Sequence, residues 1–550
     1  MLSSLVTLLA AAVAAATPPS APTATIQTPL IIDQNRLDRT PTPLDRSSQQ
    51  GEETKHKAIS RGDTKVEGEA SAVTIRGVNF GGAKVPFRVA NAARAYLGKK
   101  ASKATLHALA KALSDAYANS DIALYTVVIP DQNFRGGIVV VRVAEGFVER
   151  VIFTGGMTRL TKAYATALTR QHPLSRHALE RYLSFLRDIP GETVDVQVLR
   201  GAHPGGVILQ IKAKRKRFDV SLGFDNRGQA EQGNAEFNAQ AHAFSLLRDG
   251  DRTDLTVLAT PDFHRELYFG VAHTTPIGDD GMTLALNGGY LDTHPRHTGI
   301  SGNAKLGGLT FADPIIRGYK KNLTATLGVD LIDSDQATVG SVLSADHTRA
   351  ARGALGYSDV TGKSVLTAGI TVSRGLDILG AHGTPFLSHP VFTKVNDKIT
   401  YDHTIGQHFI ARGRVSAQYS DDPLPAAERF VVGGAEFGRA FDQAVVSGDR
   451  GYAGLGELAW RPKLPPKLAA KFAGSELYTF GDYAALKLVG RYPYLPAKYD
   501  LGSAGLGARI AFTPRAWLEL EGARVIDKPY PGYEGKWRFN ISWRLNLKKS

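Results

Sequence analysis

The residue types that most often carry chemistry are present in this chain, but not at the spacings chemistry needs. Fifteen histidines are scattered without a metal-ligand interval, and no HExxH occurs. Cysteine is absent, which excludes a disulfide framework, a thiolate zinc site and a cysteine nucleophile. GLGARIA at Gly505 is superficially like a dinucleotide fingerprint, yet it lies in a strand-rich region with no helix behind it, and no GxxxxGKS/T phosphate loop is found. The expectation is a protein that is not an enzyme, with no catalytic residue, metal or cofactor. Two other charged features stand out. The run Lys212, Lys214, Arg215, Lys216 and Arg217 could meet anionic phospholipid headgroups or be an ordinary solvated strand end. The stretch FVVGGAEFGRAFDQAVVSGDRGYAGLGELAW carries Gly433, Gly434 and Gly438, then Arg439, Ala440, Phe441 and Asp442. It is too long for a tight hairpin, so it is either a surface loop, the default on these residues alone, or one that folds back inside.

The elements around these residues fall into two grammars. Up to the basic run the chain reads as two tandem units of one order, strand, helix, helix, strand, strand. The first runs from VTIRGVNF to GIVVVRVAEG, and Leu106, Leu109, Leu113 and Tyr117 make an apolar stripe on its second helix. The second runs from VERVIFTGG to GVILQIKAK. After the run, alternating segments separated by turn residues continue to the C-terminus. Roughly sixteen can be counted, within the even-numbered range of outer-membrane barrels; the boundaries between Arg349 and Phe409 are left open. Near the end, WRFNISWRLNL places Trp537, Phe539, Ile541, Trp543, Leu545 and Leu547 on one face and polar residues on the other. That is the pattern of a closing strand, apolar toward lipid and polar toward a wet lumen. Tyr268, Phe269, Tyr478, Tyr483, Trp517 and Trp537 read as interfacial girdle residues.

The chain opens on MLSSLVTLLAAAVAAATPPSA, a short apolar core with small residues Ala14, Ala15 and Ala16, which reads as a signal peptide over 1–16. Residues 17–70 are polar and rich in Pro, Ser and Thr, and read as flexible apart from a short helix near LIIDQNRLD. No run of eighteen apolar residues follows, so no transmembrane helix is expected. With 66 basic against 52 acidic residues the chain is basic by 14 charges, which by itself suits anionic lipid, nucleic acid or plain solvation; for an exported chain no nucleic-acid partner is expected.

Taken together, these segments resemble the outer-membrane transporters of two-partner secretion, the TpsB type that exports haemolysins and filamentous haemagglutinins. YTVVIPDQNFRGGIVVVRVAEG resembles the end of that family's first polypeptide-transport-associated (POTRA) domain, and LSFLRDIPGETVDVQVLRGAHPGG a part of the second. GFDNRG and ADPIIRGYKKNLTATLGVD are similar to early barrel strands. GGAEFGRAFD followed by SGDRGYAGLGEL is similar to the loop carrying the Val-Arg-Gly-Phe/Tyr signature, and ELYTFGDYAAL, with Phe480 and Asp482, to the strand with Phe-x-Asp. Three departures are Ala440 in place of the signature glycine, Ala484 in place of a glycine after Phe-x-Asp, and an end in Lys-Lys-Ser. The resemblance implies a POTRA domain over 71–147, a second over 148–214, and a membrane β-barrel of about 16 antiparallel strands over 215–550. It implies a pore in the outer membrane of a Gram-negative bacterium, with POTRA domains in the periplasm that take up the unfolded, N-proximal region of a large secreted β-rich partner, and with outer-membrane lipid as the other contact. A barrel-assembly insertase and a passive porin with a periplasmic binding module are the alternatives. It further implies that Arg439 and Asp482 pair to hold the loop inside the barrel; on the residues alone, two separately solvated side chains of a wet pore fit as well.

Overall fold

The structure is a computed structural model that describes residues 62–547, except 68–70, 82–83, 339–340, 473, 492–494 and 514. The signal peptide, the short helix near LIIDQNRLD and the Lys-Lys-Ser end lie outside the described residues.

The first unit is a four-stranded sheet in the order β1 (Gly62–Val66), β3 (Tyr125–Ile129), β4 (Ile138–Glu145), β2 (Gly77–Gly81). Two helices cover it, α1 (Phe87–Ala93) and α2 (Lys103–Ala118). Ser102 caps α2 by accepting from the Thr105 N–H, and the stripe Leu106, Leu109, Leu113 and Tyr117 is wholly buried against Val127, Ile129, Val139 and Val141. The sequence reading differs at one edge. It left β1 inside a flexible segment and the unit with three strands, whereas β1 pairs in parallel with β3 from Gly62↔Tyr125 to Val66↔Ile129. Five residues, GDTKV, show too little alternation to announce a strand, and their partner is some 60 residues away, so only the tertiary fold specifies them. The second unit is a three-stranded sheet in the order β5 (Phe147–Gly155), β7 (Gly206–Arg215), β6 (Glu192–Arg200), with α3 (Arg159–Ala167) and α4 (Arg176–Asp188). In its last turn the main-chain N–H groups of His203 and Ala202 donate to Glu149 and hold that carboxylate below its usual range.

Sixteen antiparallel strands then form a closed barrel in which each pairs with its neighbours, and Val220–Asp225 closes the ring against Ser542–Leu547. Closure satisfies every strand edge, the condition for β-structure in a bilayer. Two-residue alternation sorts the side chains. Leu286, Leu309, Leu327, Val329, Leu355, Ile370 and Val372 stand exposed on the outside. Their neighbours Thr283, Ala285, Thr310, Thr326, Gly328, Gly356 and Thr371 line the interior. The C-terminal strand follows its pattern: Trp537, Phe539, Ile541, Leu545 and Leu547 are exposed outward, while Asn540 and Ser542 are buried inward. The aromatic girdle is smaller than expected. Phe269, Tyr483 and Trp537 do stand outside, but Tyr268 and Tyr478 are buried on the lumen side and Trp517 is in register with lumenal Arg544. Tyr268 and Phe269 are adjacent in one strand, so they cannot share a face.

The second unit is fastened to the barrel by its turns. Asp188 at the end of α4 takes both Arg317 Nε and Nη2 at 2.6 and 2.7 Å. Arg181 donates to the Pro314, Ile315 and Asp280 carbonyls, and Arg159 bonds Asp279 at 3.1 Å. The basic run takes part: Arg215 bonds Asp249 at 3.1 Å in the turn after the second barrel strand, and Lys216 bonds Asp219 at 2.6 Å. Arg215 thus helps to tie the unit to the barrel, while Lys212, Lys214 and Arg217 are exposed.

Candidate functional site: a loop held inside the barrel

Residues 420–449 leave the strand Phe409–Tyr419, turn into the lumen as a small hairpin of Phe430–Val432 with Val446–Gly448, and return to the strand Arg450–Trp460. The loop therefore folds back inside, the second of the two courses its length allows. Its tip needs left-handed backbone. Gly433 has φ +113° and Gly438 φ +74°, and a Cβ on Gly433 would lie 2.2 Å from the Asp442 carbonyl oxygen. Ala440 does not adopt a positive φ, so an alanine is accommodated where the resembled signature has glycine.

Apolar contacts seat the loop. Phe430, Val432, Phe437, Ala440, Phe441, Val445 and Val446 form one buried cluster with wall residues Leu455, Tyr478, Phe480, Ala484, Tyr499 and Leu501. Phe441 is 1 % exposed and packs on Tyr533 with ring centroids 5.3 Å apart; burial of one such ring contributes roughly 1.5–3 kcal/mol. Ala484 is also fully buried in this cluster, at the point where the loop presses on the wall.

Polar contacts fix its register. Asp482 points into the lumen from the strand Glu476–Leu488, as its position in the alternating pattern suggests, and accepts from the Gly438 N–H at 3.0 Å, the Arg439 N–H at 3.3 Å and Ser503 Oγ at 2.7 Å. The expected side-chain pair is corrected here. Arg439 Nη1 bonds Glu457 Oε2 and Glu521 Oε2, each at 3.1 Å, and its guanidinium lies 4.6 Å over the Phe480 ring. Asp482 holds the main chain at the tip, and the guanidinium goes to two other carboxylates. The physical reason is reach: an arginine extends past the residue its own backbone touches, toward carboxylates that can share its fork of donors.

Those carboxylates belong to a wider network on the same side of the barrel. Glu457 also takes Arg412 and Arg509 at 2.7 and 2.6 Å, Glu476 takes the same two arginines at 2.7 and 2.9 Å, and Glu519 takes Arg509 at 3.0 Å. Glu521 is bonded by Arg227 at 3.1 Å, Tyr478 Oη at 2.8 Å and Asn540 at 3.0 Å. Arg509 lies in GLGARIA, so the fingerprint-like stretch supplies a wall cation. Asp442 takes Arg538 from the closing strand.

The stem of the loop has its own anchors, which the sequence reading missed. Glu428 is fully buried between Lys394 Nζ at 2.6 Å and Arg352 Nη2 at 2.6 Å, and its carbonyl accepts from Lys394 and Gln418. Asp449 takes Arg491 at 2.5 and 2.8 Å and the N–H groups of Leu424 and Val489. For Glu519 and Glu521 a signal did exist: two carboxylates two residues apart on one strand mark an inward face that must be paired. Glu428, in the irregular AAERF, offered none. Among the described residues no cluster of His, Cys, Asp or Glu has the arrangement of a metal site.

Known proteins resemble this chain in sequence and in fold. Residues 205–510 match the family of haemolysin secretion/activation proteins ShlB/FhaC/HecB, and residues 73–146 match the ShlB-type POTRA domain. The chain is similar to the hemolysin transporter protein HpmB of Proteus mirabilis, 23 % identical over 58 % of this chain and 60 % of that one. It is likewise similar to the outer membrane transporter CdiB of Dickeya dadantii, 21 % identical over 70 % of this chain and 72 % of that one. Among solved structures, CdiB from Escherichia coli superposes with a TM-score of 0.70 at 17 % identity, covering 94 % of this chain and 97 % of the other. BamA from Haemophilus ducreyi lacking POTRA domains 1–3 gives 0.51 at 15 % identity, with 87 % and 100 % covered. These structural likenesses establish the fold.

Proposed function

The chain belongs to the family of haemolysin secretion/activation proteins, and from this premise we propose that it is an outer-membrane pore that exports a large β-rich partner protein. The periplasmic units take up the partner unfolded, through its N-proximal region, and pass it to the lumen. The observation that carries this reading is the lumenal cavity of about 1040 Å³, which runs without interruption from Tyr164, Phe185 and Pro190 of the second unit to Phe430, Phe437 and Gln443 of the docked loop. The second unit thus opens directly into a barrel whose lumen is partly filled by the docked loop. In this reading Gly433, Gly434, Gly438, Arg439, Ala440, Phe441 and Asp442 form the element that must keep its lumenal seat, with Phe480 and Asp482 as its wall partners. No nucleotide is involved; folding of the partner outside withdraws extended chain from the transit equilibrium. The proposed insertase alternative would act on barrel clients within the membrane and leave the medium unchanged. Comparison of proteins in the medium of the wild type and of a strain deleted for this chain tests the reading: one large protein should disappear and return on complementation, and an unchanged medium would overturn it.

A further inference from the structure

At the end of the barrel that carries the second unit, the turns at 278–281, 318–320, 361–363 and 406–408 only reverse the chain. The turn 461–475 at the same end, between the strands Arg450–Trp460 and Glu476–Leu488, is long enough to hold a helix of its own, α5 (Pro466–Phe472). Its sequence, RPKLPPKLAAKFAGS, contains four cations and no carboxylate. Leu464, Leu468 and Phe472 recur every fourth residue, and Lys463, Lys467 and Lys471 recur at the same interval one residue earlier. In α5 an apolar row and a basic row therefore lie side by side.

The helix lies against the outside of the wall. Phe472 meets Phe512 edge-on, with ring centroids 5.9 Å apart. Phe512 shares the outward parity of exposed Leu506, opposite to that of Arg509, which bonds Glu457 in the lumen. Trp460 also faces outward, since Glu457 and Ala459 of its strand are buried toward the lumen, and its register partners Phe409 and Leu477 are exposed on the same rim. Aromatic and leucine side chains at strand ends mark the lipid boundary of a barrel. Two bonds hold the turn at that level: the Arg461 N–H donates to the His408 carbonyl at 2.7 Å, and Ser475 Oγ accepts from the Ala511 N–H at 3.0 Å. Leu468 still stands 46 % exposed, and Lys463, Lys467 and Lys471 are exposed with no carboxylate partner among the described residues.

The apolar row continues the lipid-facing belt of Phe409, Trp460, Leu477 and Phe512. With that row at the acyl boundary, the neighbouring lysines reach headgroup level, the placement in which an aliphatic stem is buried and its ammonium stays wet. No carboxylate in the turn opposes an anionic surface there. The site also stands apart from the ties of the second unit. Those hold the rim at Asp249, Asp279, Asp280 and Arg317, and α5 is halfway round the sixteen-strand ring from the 278–281 turn.

We propose that the turn 461–475 is a docking surface for anionic phospholipid in the leaflet on the POTRA side. Leu468 and Phe472 enter the acyl boundary, and Lys463, Lys467 and Lys471 bind headgroup phosphates. The rim is then seated on lipid opposite the side where the second unit holds it. This assignment requires the barrel to stand in a membrane and requires no particular cargo, so it goes beyond the export reading.

Because the chain has no cysteine, Leu468→Cys in the full protein takes a single fluorophore. The labelled protein is reconstituted in phosphatidylcholine vesicles with increasing phosphatidylglycerol and a fixed fraction of lipid carrying a nitroxide on its headgroup, which quenches at short range. Quenching should grow with phosphatidylglycerol and fall as salt is raised from about 0.1 M to about 1 M. With Lys463→Gln, Lys467→Gln and Lys471→Gln combined, the phosphatidylglycerol fraction that gives half-maximal quenching should rise at least about tenfold, because each lysine beside an anionic surface contributes roughly a fivefold change. Arginine at the same three positions should restore the original response, and heat modifiability shows that each variant is a folded barrel. Quenching that ignores phosphatidylglycerol and the three lysines would overturn the headgroup contact, and no quenching in any vesicle would overturn the seating of the turn on lipid. A loss in the glutamine variant that arginine does not repair would overturn the role of charge. Each of these failures would leave the export reading as it stands.

Discussion

Replacing Arg439 by methionine removes the guanidinium but keeps most of its apolar length, so it isolates the charge that ties the loop tip to the wall. Each of its two contacts is 3.1 Å, which at an effective dielectric near 20 is about 5 kcal/mol of attraction before desolvation. The net value is smaller, because charge-assisted hydrogen bonds contribute roughly 1.5–3 kcal/mol each, and the ring of Phe480 adds about 1 kcal/mol. Neither carboxylate is orphaned by the change. Glu521 keeps Arg227, Tyr478 and Asn540, and Glu457 keeps Arg412 and Arg509. Those terms sum to about 4–7 kcal/mol, and because both carboxylates keep other partners the expected loss in docking free energy is discounted to about 2–4 kcal/mol, a rise of roughly 30- to 900-fold in the undocked population. In a background of Ala440→Cys, whose side chain is buried when the loop is seated, the rate of labelling by an external thiol reagent reads that population. Arg439→Met should accelerate labelling by that factor while the barrel still runs faster unheated than boiled. Within a double-mutant cycle, Arg439→Met with Glu521→Gln should couple by about 1 kcal/mol or more, whereas Arg439→Met with Asp482→Ala should be additive within about 0.5 kcal/mol. A labelling rate changed less than about twofold, or strong coupling to Asp482 with none to Glu521, would refute the assignment of the guanidinium.

Three further outcomes follow from the same geometry. Lys394→Met leaves Glu428 buried beside Arg352 alone, so the loop stem should loosen by about 3 kcal/mol; single-channel recording in planar bilayers should show a larger or more frequently open conductance, and an unchanged current would count against a closing role for the stem. Asp188→Ala breaks the bidentate tie to Arg317 and should weaken docking of the second unit by roughly 2–3 kcal/mol, seen as faster proteolysis between unit and barrel with heat modifiability retained; unchanged proteolysis would show the tie to be dispensable. A fragment spanning 62–215 should bind the N-proximal part of the exported partner in its unfolded form, and binding only to natively folded partner in a pull-down would contradict capture before export.

Much of the fold was legible because the barrel repeats a simple rule. Alternation in WRFNISWRLNL assigned lipid and lumen faces correctly, and the Leu106, Leu109, Leu113 and Tyr117 stripe placed the core of the first unit. Alternation gives a residue's face but not its depth or its neighbour across the lumen. That is why Asp482 was placed inward and yet matched with the wrong atoms of Arg439: three carboxylates, at 457, 482 and 521, face the same space. The girdle reading failed at Tyr268, Tyr478 and Trp517 for the opposite reason, since aromatic type was read without its parity. Gly62–Val66 and Glu428 were invisible because their roles arise from partners distant in sequence, Tyr125–Ile129 in one case and Lys394 with Arg352 in the other.

The central claim is export through this lumen, and it is tested most directly by complementation with matched variants. A deletion strain carrying the intact chain should release one large protein into the medium, while strains carrying Arg439→Met, or a chain lacking 71–215, should retain a heat-modifiable barrel in the outer membrane and release far less of it. Normal release from both variant strains, or a medium that never depended on this chain, would contradict the account.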